Sequence, residues 1–433
     1  MATDSEPGGS SRRLNLSPSG LSRGARATGG RLLGGVARRA QASLGAARER
    51  RSAAGAPTRG VAFAGTVWVG GAAEPAPGTV VVDGTGRIVD ILLGQRPTLP
   101  RDLLVLGGDS HWVVPGVVDA HVHLGFDPAQ GSGRVSGRET GLVGVRDRGA
   151  PLRWAGQWQT GRRLPPAGHP FVAVSGPILT AVDGYPSKSW GAAGYAEFLN
   201  SPAQARSVVQ RLAAEGVDLI KVALERGEVG WPVLPSDVLQ AVTRAAHAAG
   251  LPVVAHALTG DLVLRALDAR VDELVHTPTE RLSAEVIDRI AASGVSVTST
   301  LQTFFSVGSG RTAAENAADL VAAGVVLRYG TDLGNAGTRP GVDPRELDRL
   351  ADTGLGRLGA LRAATEHSAA AAGMRTRTGL LRVGLPAALV LLPFSPLAEP
   401  GVWRTPSAVY ADGRLTVGLV GEGRRAARET TSR

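Results

Sequence analysis

Six residues of this 433-residue chain could together hold metal and move protons, and each sits at the end of an apolar run. Val117-Val118-Asp119-Ala120-His121-Val122-His123 closes on two histidines at i and i+2, which a β-strand turns to one face. Leu219-Ile220-Lys221 ends in a lysine, Val253-Val254-Ala255-His256 and Leu274-Val275-His276 in histidines, and Leu327-Arg328-Tyr329-Gly330-Thr331-Asp332 in an aspartate. Imidazole and carboxylate are ligands for zinc, cobalt, nickel or manganese, and a buried carboxylate can also serve as a base. One histidine at a strand end is more often a hydrogen-bonded loop residue than a ligand. The joint pattern argues otherwise, because the remaining four histidines, His111, His169, His247 and His367, scatter without relation to strand ends.

Lys221 stands out for a separate reason. The chain holds 45 arginines and only two lysines, Lys188 and Lys221. Arginine can replace a lysine that only needs charge, but not one that must lose its proton.

Other chemistries are excluded by composition. With no cysteine there are no disulfides, zinc-thiolate sites, iron–sulfur clusters or thiol nucleophiles. Gly131-Ser132-Gly133 meets its next glycine at Gly137, one residue late for a dinucleotide loop; Lys188 follows no phosphate loop, and no Gly-x-Ser-x-Gly elbow occurs. The net charge of +9 sits at the ends: residues 1–60 carry eleven arginines against Asp4, Glu6 and Glu49, and 421–433 carry four against Glu422 and Glu429. The body between is close to neutral, which points to a small-molecule partner and away from nucleic acid. No apolar run is long enough for a membrane span.

Positioning these residues calls for strands and helices in alternation. From Val113 to about 378, helical spacings such as Ser201–Glu215, Ser236–Ala249, Asp261–Ala269, Ser283–Ser293 and Thr312–Ala323 are each followed by a short apolar run, with Ser236 expected as a helix cap. Repeated units over this length favour a (β/α)8 barrel, whose active site lies at the carboxyl ends of the strands. Short apolar stretches separated by Gly- and Pro-containing turns flank it, at 61–112 and 379–420, and suggest β segments that pair into one small sandwich. Residues 1–60 and 421–433 read as a disordered Arg-rich arm and tail. Ser11-Arg12-Arg13 invites comparison with a twin-arginine signal, but Arg23, Arg26 and Arg31 break its apolar segment, so a cytoplasmic location is expected.

The run Val114-Pro115-Gly116-Val117-Val118-Asp119-Ala120-His121-Val122-His123 closely resembles the first-strand signature of the amidohydrolase superfamily. Gly144-Val145-Arg146-Asp147 is similar to the second-strand segment of its imidazolonepropionase-like and prolidase-like branch, and Gly330-Thr331-Asp332 to its eighth-strand motif. Ala363-Ala364-Thr365 and Gly379-Leu380-Leu381-Arg382-Val383-Gly384-Leu385-Pro386-Ala387 resemble its C-terminal signature. The resemblance implies one or two divalent metals, zinc first, with manganese, cobalt or nickel as alternatives. His121 and His123 would bind the more buried ion, His256 and His276 the more exposed one, and Lys221, carboxylated by CO2, would bridge them. Asp332 would be both ligand and base for a metal-activated hydroxide. The family has a glycine where Thr277-Pro278 follows His276 here.

Tyr185, in a loop similar to a substrate-contacting loop of this branch, and Phe304, after the seventh strand, are the expected substrate contacts. Arg146 and Asp147 are expected to form a structural ion pair. The implied activity is hydrolysis of an amide C–N bond in a small cyclic amide, N-acyl amino acid or dipeptide-like substrate. A lactonase or phosphotriesterase would use the same ligands, and a non-catalytic binding barrel would keep the fold alone. A homo-oligomer is left open.

Overall fold

The computed structural model describes residues 60–418, apart from 95–98, 101–102, 126–140, 154–169, 189, 228–229 and 336. The basic arm at 1–60, save Gly60, and the tail at 421–433 lie outside the described residues.

Eight parallel strands form the centre: β1 (Val117–Val122), β2 (Leu142–Asp147), β3 (Phe171–Val174), β4 (Ile220–Leu224), β5 (Val253–Ala257), β6 (Glu273–Val275), β7 (Ser296–Thr298) and β8 (Leu327–Arg328). Consecutive strands pair in parallel from β1 to β3 and from β4 to β8, while the Asp218 amide donates to the Val174 carbonyl at 2.8 Å to join β3 to β4. The ring closes on β1. Ala120 donates to the Tyr329 carbonyl at 3.0 Å, Asp332 to that of His121 at 2.9 Å, and His123 to that of Leu333 at 2.7 Å.

Helices between the strands form where the sequence supplies caps and an apolar stripe. In α1 (Pro202–Ala214) Ser201 accepts from the Gln204 amide, a proline fills the first turn, and Ala205, Val208, Val209 and Leu212 pack inward at helical spacing. α2 (Ser236–Ala248) differs from expectation: Ser236 is already helical and Pro235 occupies the cap with no side-chain bond. A fixed proline φ sets the entry in its place. Further on come α3 (Gly260–Asp268), α4 (Ala284–Ser293), α5 (Leu301–Val307) and α6 (Gly310–Ala322), with α4 capped by Ser283 and ended by Gly294 at φ 72°.

The flanking segments join in one seven-stranded sheet. Its order is Arg414–Gly418, Ala408–Ala411, Ala388–Leu392, Leu104–Pro115, Val61–Val67, Ala76–Val82 and Ile88–Leu93. The sheet curls until its distant turns meet, so that a Cβ on Gly86 would lie 2.5 Å from the Cα of Gly413. Phe63, Val80, Ile88, Leu389 and Tyr410 fill the space between as a core distinct from that of the barrel. The expected sandwich is thus one sheet folded on itself, built from both flanks. The strand at 104–115 runs almost directly into β1 and thereby carries the first histidines to the barrel.

Candidate active site

Alternation along β1 sends Val118 and Val122 outward into the main core and Asp119, His121 and His123 inward. The Nε2 atoms of His121 and His123 lie 3.1 Å apart, and Oδ1 of Asp332 is 3.2 Å from the first and 3.4 Å from the second. All three residues are buried. Among the described residues they are the one group of three or more His, Cys, Asp or Glu side chains with converging ligand atoms. Ligand bonds of about 2.0–2.2 Å put neighbouring donors about 3 Å apart, so this set has the spacing of a metal site. Burial first, then the nearby Lys221 charge, pushes both imidazoles well below their ordinary pKa, leaving them neutral and ready to donate a lone pair. Nδ1 of His121 has no hydrogen-bond partner among the described residues. The donors fit a divalent zinc, manganese, cobalt or nickel ion.

Asp332 owes its place to Asp119. Oδ2 of Asp119 accepts from the Thr331 hydroxyl at 2.6 Å and Oδ1 from the Thr331 amide at 3.1 Å, tying the end of β8 to β1. Asp332 itself has φ 58°, a left-handed conformation that turns its carboxylate to the histidines. Desolvation raises its pKa to about 6, against the opposing pull of the Lys221 charge.

His276 reaches the site by a similar device. Leu274 packs in the outer core and Val275 in the barrel interior with Leu219 and Val254, so simple alternation would point His276 outward. Its φ of 73° breaks that alternation. The ring stands 4.6 Å from that of His121 and 4.8 Å from that of His256, with Nδ1 held 2.8 Å from the Thr300 hydroxyl. Thr300 is left-handed as well, and its turn is pinned by buried Glu346, which accepts from the Ser299 hydroxyl and from the amides of Leu301 and Gln302. Thr277-Pro278 after His276 does not displace the ring from the cluster.

Lys221 lies on the inward face two residues beyond Leu219, almost fully buried. Desolvation, then the positive charge of Arg148, drives its amine well below the usual lysine pKa, toward the neutral form. His256 also borders the cluster, but its Nε2 lies 3.1 Å from Oε2 of Glu225, a residue that strand-end reasoning passed over. A carboxylate directly after the last residue of an apolar strand, Leu224, was the available signal.

Tyr185 stacks 5.4 Å from His256 and 5.0 Å from Trp231, and Phe304 meets His276 edge-on at 5.5 Å. Trp231 was not among the expected contacts. It follows a stretch of Gly and charged residues with no periodicity to mark it.

The expected ion pair between Arg146 and Asp147 does not form. Neighbours in a strand point to opposite faces: Arg146 donates to Oε2 of Glu273 at 2.6 Å, while Asp147 accepts from the amides of Leu124 at 2.8 Å and Gly149 at 3.1 Å.

A parallel eight-stranded barrel whose strand ends gather four histidines, a buried lysine and an aspartate defines a metal-site barrel. The Amidohydrolase family model matches residues 171–416, more than half of the chain, which therefore belongs to the amidohydrolase family. An imidazolonepropionase of Paracidovorax citrulli is 34% identical over 218 residues, covering 48% of this chain and 50% of that protein. The chain thus aligns with about half the length of that relative. An uncharacterized protein of Mycobacterium tuberculosis is 28% identical over 365 residues, 76% of this chain and 90% of the relative. Among solved structures, a Xaa-Pro dipeptidase with bound methionine superposes with a TM-score of 0.70 at 20% identity, covering 83% of this chain and 100% of the other. Among the described residues, no helix is long and apolar enough to cross a membrane.

Proposed function

We propose that this protein is a metal-dependent hydrolase that cleaves an amide C–N bond in a small cyclic amide, N-acyl amino acid or dipeptide-like substrate. The observation that carries this reading is the convergence of the two Nε2 atoms and Oδ1 of Asp332 within 3.1–3.4 Å of one another in a buried setting. His121, His123 and Asp332 would hold the first ion, zinc in preference to manganese, cobalt or nickel, His256 and His276 would hold a second, and Lys221 carboxylated by CO2 would serve as ligand to both. Ions held there polarise a carbonyl and lower the pKa of water toward neutrality.

The chain's own residues supply the rest. Asp332, with its pKa raised to about 6, takes the proton of the attacking water on its carboxylate and hands it to the leaving nitrogen. Tyr185, Trp231 and Phe304 wall the site with apolar rings that exclude water and seat an apolar portion of the substrate. Thr300 fixes the angle of the His276 ring. The names of the imidazolonepropionase relative and of the dipeptidase of like fold support an amide substrate. The division into a sandwich at 61–112 and 379–420 and a barrel at 113–378, and a cytoplasmic location, belong to the same proposal.

The test is elemental analysis of protein produced with zinc or manganese and bicarbonate, paired with hydrolysis of N-acyl amino acids, hydantoins, dipeptides, lactones and aryl phosphotriesters. About two ions per chain with turnover of an amide supports the reading. Turnover confined to lactones or phosphotriesters overturns the amide assignment, and absence of metal in folded protein overturns the hydrolase.

A further inference from the structure

Beneath the histidines the barrel interior holds charge where branched apolar layers are usual. Glu273, at the start of β6, is contacted by three guanidinium groups: Arg146 at 2.6 Å, Arg328 at 2.8 Å, and Arg148 through its Nη2. Arg146, Arg148 and Glu273 are almost wholly buried, and Arg328 is largely so. One carboxylate against three guanidinium groups leaves an excess of two positive charges within this cluster. An uncompensated buried charge is strongly destabilising, and guanidinium does not escape by losing its proton as an amine does. Donors also outnumber acceptors. Nε of Arg146, Nη1 of Arg148 and Nε of Arg328 have no hydrogen-bond partner among the described residues.

A cavity of about 320 Å³ adjoins this cluster at the end of the barrel away from the histidines. Arg146 lines it, together with Phe171 at the start of β3, Pro252 just before β5, Met374 and Arg377. The Arg377 guanidinium lies over the Phe171 ring, 4.6 Å from its centroid. Asp218 also lines the cavity and opposes an anion, but its Oδ2 is engaged by the Val174 amide at 2.9 Å. Arg375 adds positive charge felt by Arg328 from the same end.

We infer that this cavity is a binding site for a small oxyanion, a carboxylate or phosphate, which meets Arg146 and Arg377 and supplies negative charge that the buried arginine cluster lacks. The site is separate from the metal-ligand cluster and does not depend on the proposed hydrolysis. Occupied, it ties the ends of β2 and β3 to the segment around Met374 and stabilises the barrel from below.

The test uses the full-length, metal-loaded protein and follows thermal unfolding in sodium phosphate, sodium acetate and sodium chloride at matched ionic strength and pH. Phosphate or acetate should raise the midpoint over chloride, saturably, by about 2 °C or more. A response to phosphate alone identifies free phosphate as the source, and a response to acetate identifies a carboxylate. The gain should vanish in Arg377→Ala, whose half-buried side chain touches no metal ligand, and persist in parent protein stripped of metal with a chelator, which removes the other place an anion could bind. No oxyanion gain over chloride, or any other pattern in the variant and the stripped protein, overturns the inference.

Discussion

The Thr331 hydroxyl donates to Oδ2 of Asp119 at 2.6 Å, joining residues 212 positions apart and setting the carboxylate of Asp332 opposite His121 and His123. Asp119 sits two residues before one ligand and Thr331 directly before another, so this hydrogen bond ties the first strand of the barrel to the last at the metal-ligand cluster. Thr331→Val keeps the shape and removes the donor, leaving a buried carboxylate short of one bond. A loss of about 1–3 kcal/mol in unfolding free energy is expected, with weaker zinc affinity, measured by denaturant unfolding and by competition with a chelating dye. Unchanged zinc affinity would separate this bond from the placement of Asp332.

Gly330 lets β8 pass close to β1. A Cβ there would stand 2.5 Å from Cγ2 of Thr298 and 2.9 Å from Cβ of His121. Gly330→Ala should cost about 1–3 kcal/mol by overpacking and lower metal content by displacing His121. Thermal unfolding and elemental analysis check both parts.

Glu346 is buried, and desolvation raises its pKa from 4.5 to about 8. The folded state therefore favours its neutral form. Its contribution is intact below the unfolded pKa near 4.5 and is lost as pH climbs toward about 8, because the unfolded chain ionises first. Glu346→Gln cannot ionise, so the difference in unfolding free energy, variant minus parent, should grow more positive between pH 5 and 8. A flat difference would show that Glu346 does not titrate in this window.

Asp332→Asn keeps an oxygen donor but removes the base. Metal content should remain largely intact while kcat falls about 10²–10⁴-fold. Equal turnover in the variant would exclude Asp332 as the proton carrier.

Trp231→Ala removes a ring that stacks on Tyr185 beside His256. If this wall seats the substrate, KM should rise about tenfold or more with a smaller change in kcat. A fall in kcat alone would place Trp231 in the chemistry.

His121 and His123 were legible in the sequence because strand alternation needs no partner to be deduced. The same holds for Lys221 and His256, two residues beyond the inward-facing Leu219 and Val254. His276 and Asp332 were legible as strand-end polar residues, but the left-handed turns that aim them were not. Both have a positive φ, at 73° and 58°, which at His276 breaks the alternation and which costs about 1–2 kcal/mol for a residue with a side chain. Only packing that holds the turn can sustain such a conformation, and for His276 that packing runs through Thr300 to Glu346, seventy residues away in sequence.

By itself the sequence determined the alternation of strands and helices, the apolar faces that bury them, and the residue types at the strand ends, all of which follow from local periodicity. Tertiary structure decided which charges meet. Arg146 turns from its neighbour Asp147 to a glutamate on β6, Glu225 reaches His256, and Trp231 joins Tyr185, because side-chain partners are set by the register and closure of the barrel. No local pattern encodes contacts between residues that only the closed ring brings within reach.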